Sequence, residues 1–103
     1  VQARTVAEAA LDDLKAADIV YINLDGKASF ADGMLVATAT SSRHAASLAD
    51  TVEEALCKHK FPILSIQGKN GGDWVLVDAG DIVVHIFQPD ARKLYNLEKL
   101  WSF

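Results

Sequence analysis

Cysteine occurs once among these 103 residues and proline only twice. The single Cys57 cannot close an internal disulfide, so a reducing compartment is the expected setting. Pro62 and Pro89 leave long stretches free for regular helix and strand. Cations are also short, with ten Lys and Arg against fourteen Asp and Glu, for a formal net charge of −4. That balance argues against direct readout of DNA or RNA, because phosphate contacts need clustered Lys and Arg. No apolar run approaches the roughly 18 residues that a membrane helix needs, so no membrane segment is expected. The opening Val1-Gln2-Ala3-Arg4-Thr5 is polar and short, unlike a secretory signal, and the lack of Met at position 1 reads as trimming. What is present is ordinary for a globular chain, 50% hydrophobic and 23% charged. The length supports one core and one domain, residues 1–103.

Periodicity orders the elements. A helix is expected over about residues 5–17, with Thr5 and Glu8 as a capping box and Val6, Ala7, Ala10, Leu11 and Leu14 as its apolar stripe. Strands are expected at 19–24 and 34–39, after which Ser41 or Ser42 caps a long helix of about residues 42–60. Ala45, Leu48, Ala49, Val52 and Leu56 form its buried stripe, and Pro62 blocks continuation. A short strand near 63–67, the loop Gly68-Lys69-Asn70-Gly71-Gly72, a hairpin over 74–87 and a helical segment near 89–95 complete the chain. The tail Leu97 to Phe103 carries too many large apolar groups to stay free and is expected to pack on the domain or a partner. The order αββαβββα implies an α+β domain with a mixed sheet of about five strands and helices over one face.

The hairpin is the most informative stretch. With Ala79-Gly80 as its loop, Asp78 faces Asp81, Leu76 faces Val83 and Trp74 faces His85. Val75, Val77, Ile82, Val84 and Ile86 then share the other, purely aliphatic side. A type I turn with Gly80 in the left-handed position is the competing geometry, and it would place Trp74 and His85 on opposite faces. The first register separates aliphatic from polar residues and is preferred. Its polar face, Trp74, Leu76, Asp78, Asp81, Val83 and His85, suits a docking surface better than an interior.

Chemistry finds little footing. Gly-Lys at 68–69 lacks the Ser or Thr and the following helix of a phosphate loop, so a flexible connection is the simpler reading. Asp78, Asp81 and His85 could hold a divalent ion, yet His44 and His59 have no evident carboxylate partner and one Cys makes no zinc pattern. Ser41 and Ser42 near His44 are explained by capping rather than nucleophilic catalysis. Arg43 and His44, on the first turn of the long helix, are solvated residues or a secondary protein contact. No catalytic residue, metal or cofactor is assigned.

Four segments resemble one known family in order. They are Leu24-Asp25-Gly26-Lys27-Ala28-Ser29-Phe30-Ala31-Asp32-Gly33-Met34, Thr38-Ala39-Thr40-Ser41-Ser42-Arg43-His44, the block Asp73 to His85, and Tyr95-Asn96-Leu97-Glu98-Lys99-Leu100-Trp101. Together they make the chain similar to the ribosomal silencing factor family, also called the Iojap family, over nearly its whole length. Ala39 stands where the family usually has Gly, and Ala79 where it usually has an aromatic residue or Leu. The resemblance implies a fold similar to a nucleotidyltransferase core without that superfamily's catalytic pattern. It also implies a cytoplasmic bacterial factor, with organellar relatives, that binds ribosomal protein number fourteen of the large subunit and blocks subunit joining. On this expectation the chain is a translation repressor and not an enzyme, using Trp74, Leu76, Asp78, Asp81, Val83 and His85. Two rivals stand beside it: a minimal metal-dependent nucleotidyl- or phosphotransferase using Asp78 and Asp81, and a homodimer formed through the same face.

Overall fold

A computed structural model describes residues 2–24, 31–69 and 73–95. The turn at Asp25-Gly26, the glycines at 71 and 72 and the apolar tail from Leu97 onward lie outside the described residues.

The elements run α1 (Ala3–Asp13), β1 (Ala17–Asn23), β2 (Gly33–Thr38), α2 (Ser42–Lys58), β3 (Ser65–Gln67), β4 (Trp74–Asp78), β5 (Ile82–Phe87) and α3 (Pro89–Tyr95). The αββαβββα order holds. One five-stranded sheet is ordered β1-β2-β5-β4-β3. Among the described residues only β2 and β5 pair in parallel, and the other three pairings are antiparallel. That parallel pair lies at the centre, where its strands are buried along their whole length.

Helices α1 and α2 cover one sheet face. Val6, Ala7, Ala10 and Leu11 of α1 pack with Ala45, Leu48, Ala49, Val52 and Leu56 of α2 over Leu35, Ala37, Val75, Val77, Ile82, Val84 and Ile86. The stripe expected for the long helix is the one buried. The third helix does not join them. Ala91 of α3 packs on the opposite face with Met34, Val36, Val83 and Phe87, and Arg92 donates to the Thr38 hydroxyl at 2.7 Å.

Both long helices end alike. The Lys15 N–H donates to Asp12 O and the Ala16 N–H to Leu11 O; likewise Lys60 donates to Cys57 O and Phe61 to Leu56 O. These paired bonds define a Schellman C-cap, and the residues that follow, Ala16 and Phe61, pack against the core cluster that includes Leu11 and Leu56. The left-handed position carries lysine in each case, at φ 60° for Lys15 and 65° for Lys60. A Cβ is disfavoured there. Exchange of either exposed Lys for Gly is therefore expected to raise stability by about 0.5–1 kcal/mol, read from urea midpoints. An unchanged or lower midpoint would mean that these caps carry no strain.

The helix starts differ from each other. Ser41 caps α2 as expected, its hydroxyl accepting from the His44 N–H at 3.1 Å. The expected box at Thr5 does not form, because α1 begins two residues earlier, at Ala3, with Gln2 as an N-cap that makes no side-chain bond. Glu8 instead accepts from Arg4 Nε at 2.7 Å. The Arg4 guanidinium carbon also lies 3.7 Å from the centre of the Tyr21 ring. Leu14, expected in the stripe, becomes the C-cap and is exposed.

Candidate functional site: the second sheet face

In the hairpin, Trp74 pairs with Phe87, Leu76 with His85 and Asp78 with Val83. The pairing has slid by two residues from the preferred register. Two residues restore the side-chain alternation, so the division of faces survives while every cross-strand partner changes. The cause is backbone chemistry. The Ala79 N–H donates to Ile82 O at 3.0 Å, which makes Gly80 the first loop residue, at φ 83°. Glycine tolerates that conformation and alanine does not. The Asp78 carboxylate further accepts from the Gly80 N–H at 2.9 Å. The competing register is also excluded, since Trp74 and His85 share a face and a hydrogen bond.

The facing pair Asp78 and Asp81 therefore does not exist. Asp81 is in the turn, where its carbonyl accepts from the N–H groups of Asp32 and Gly33. It borders a cleft of ≈ 450 Å³ beside Arg4, Tyr21 and Phe61. Among the described residues no three His, Cys, Asp or Glu groups are placed to hold a metal ion.

The second face divides in two. Over β2 and β5, Leu24, Ala31 and Ala91 close a small core with Ile22, Met34, Val36, Val83 and Phe87. Val83 and His85, expected as surface residues, are each only 6% exposed. They lie on the central strand β5, flanked by β2 and β4, which a pattern read along one hairpin cannot reveal. Over β4 the face stays accessible: Trp74, Leu76 and Asp78 are half-buried, and edge strand β3 places Gln67 opposite Leu76 and Ser65 opposite Asp78.

The accessible strip rests on an aromatic cluster. Trp74 lies 5.0 Å from Phe87 and 5.6 Å from His85 between ring centres, and His85 stacks on Phe87 at 6.1 Å. The Trp74 indole N–H donates to His85 Nδ1 at 2.9 Å. Nδ1 must be unprotonated to accept it, so the imidazole is neutral with its hydrogen on Nε2. Burial enforces the same state, pushing its pKa from 6.5 down to about 4.

The secondary pair has a different fate. Arg43 is exposed. The His44 ring is used within the fold, its Nδ1 accepting from the Thr40 N–H at 2.9 Å and its Nε2 lying 2.7 Å from Leu14 O. It thereby ties the start of α2 to the end of α1. Sequence reasoning treated this residue as surface because a bond across thirty positions leaves no local trace.

Among the described residues, α1 and α2 cover one face of the sheet, while on the other face the β4 side chains Trp74, Leu76 and Asp78 stay half-buried. Comparison with known proteins supplies the family. The model for the ribosomal silencing factor during starvation matches residues 1–102. The chain is 46% identical over 92 residues to ribosomal silencing factor RsfS of Haemophilus influenzae, covering 89% of this chain and 90% of that one. It is 33% identical to a mouse protein named for mitochondrial assembly of the ribosomal large subunit, over 84% of this chain and 40% of that one. A crystal structure of a Chromobacterium violaceum protein, 38% identical, superposes with a TM-score of 0.95 over 97% of this chain and 83% of that chain. The chain belongs to the ribosomal silencing factor family.

Proposed function

We propose that the chain represses translation by binding the large ribosomal subunit and standing where the small subunit would join. The proposed contact is ribosomal protein number fourteen, and the proposed setting is the bacterial cytoplasm. Family membership supports the silencing role, and the mouse relative's name supports a large-subunit partner. The observation that carries the docking surface is the half-buried Trp74 on the open half of the sheet, with Leu76 and Asp78 beside it. Tryptophan concentrates binding energy where it is partly buried beforehand and fully buried on contact. Asp78 and the net charge of −4 favour a basic protein partner at the rim. Val83 and His85 support this strip from within, while Asp81 is at its far end in the turn.

Repression in this reading is steric and needs no catalytic group. The rival transferase reading uses Asp78 and Asp81 with magnesium; in the observed register Asp78 pairs with Val83 rather than with Asp81.

Trp74→Ala is expected to weaken co-sedimentation with purified large subunits by about thirtyfold or more, corresponding to about 2 kcal/mol. Its cooperative urea unfolding should persist, because the larger core lies on the other face. Undiminished binding by a folded variant would remove this strip from the interface. Sedimentation of the chain alone tests self-association: a dimer that Trp74→Ala returns to monomer would assign the strip to a second copy.

A further inference from the structure

We propose that His85 is a positioning residue of the docking face, its Nδ1 holding the Trp74 indole through the indole N–H in the orientation that meets the partner. The inference rests on the reading of Trp74 as a docking residue and adds how that ring is held.

His85 is on the central strand β5, opposite Leu76 of β4 and Val36 of β2. Its neighbours on this face, Val36, Val83 and Phe87, are buried and apolar. An imidazole in such a place carries a desolvation cost that a leucine would avoid. The cost is offset by a function only if the polar atom has a specific partner, and here it has one. Trp74 lies diagonally across the hairpin, with its Nε1 2.9 Å from His85 Nδ1. The indole has two broad ring orientations about its outer torsion. Only one directs Nε1 at the imidazole, so the bond selects between them. Phe87 supports the arrangement, packed against Trp74 and stacked on His85. A recognition ring already held in its bound orientation loses less freedom on association, which raises affinity without adding a contact.

Two replacements separate the roles. His85→Leu fills the space and removes the acceptor; His85→Asn places a side-chain oxygen near the position of Nδ1. Expected results are a roughly 3- to 10-fold weaker affinity for purified large subunits with Leu and an affinity within about twofold of the parent with Asn. The Trp74 indole N–H resonance, identified by its loss in Trp74→Phe, should exchange slowly with solvent in the parent and Asn proteins and rapidly in the Leu protein. A Leu variant that binds like the parent would overturn the proposal. So would a parent protein whose Trp74 indole hydrogen exchanges at the free rate, a measurement that needs no variant to fold. If Trp74→Ala binds normally, the docking reading fails on its own, whatever the indole exchange shows.

Discussion

Gly68→Ala is expected to lower stability by roughly 2–4 kcal/mol, among the largest single-methyl effects this chain can show. Gly68 precedes the connection from β3 to β4 and has φ 88°. A Cβ there would lie 2.2 Å from the Trp74 carbonyl oxygen and 3.2 Å from its carbonyl carbon. Both are backbone atoms at the start of β4, so no rotamer change relieves the clash. Either Gly68 or the first residue of β4 has to move, and Trp74 is the residue on which docking is proposed to depend. Urea denaturation should show the loss directly, and large-subunit binding should fall with it. A variant with parental stability would show that this backbone approach is looser than described.

The second large effect is a pH dependence centred on His85. Unfolded, its imidazole titrates near the ordinary 6.5; in the fold, burial holds it down to about 4. Between those values the unfolded chain binds more protons than the native one, so acidification favours unfolding. The contribution of the neutral buried ring is complete above about pH 6.5 and is lost as pH falls toward 4, on the order of 3 kcal/mol. Other groups titrate in the same range, and His85→Asn provides the reference because it cannot charge. The stability difference between parent and variant should change by about 3 kcal/mol between pH 7.5 and pH 4, against the parent in acid. A constant difference would show that His85 is not held neutral by the fold.

How much of this was legible in the sequence follows from the range of each interaction. Strand alternation assigned Val75, Val77, Val84 and Ile86 to the helix-covered core and Trp74 and His85 to the other face, because a period of two survives any even shift. The shift itself was hidden. It depends on which residue enters the left-handed region, and Gly80 displaced Ala79 from the first loop position. The α2 stripe was readable because seventeen residues give several turns of repeat, whereas the start of α1 was misplaced because Gln2 caps it with backbone alone. The burial of Val83 and His85 depended on β2 joining β5 in parallel from forty-nine positions away. A single hairpin carries no record of that partner. The hairpin's polar face suggested a docking surface and the family resemblance its ribosomal partner, but which part of that face stays accessible is a property of tertiary packing.

The central claim is that this chain acts by occupying the large subunit's joining surface, and a subunit-joining experiment tests it most directly. Purified small and large subunits are mixed under joining conditions with increasing amounts of the chain and separated on a sucrose gradient. The account predicts that the chain migrates with the large subunit and that joined particles give way to separate subunits, an effect lost with Trp74→Ala. Full joining at saturating chain, or migration with the small subunit instead, would contradict it.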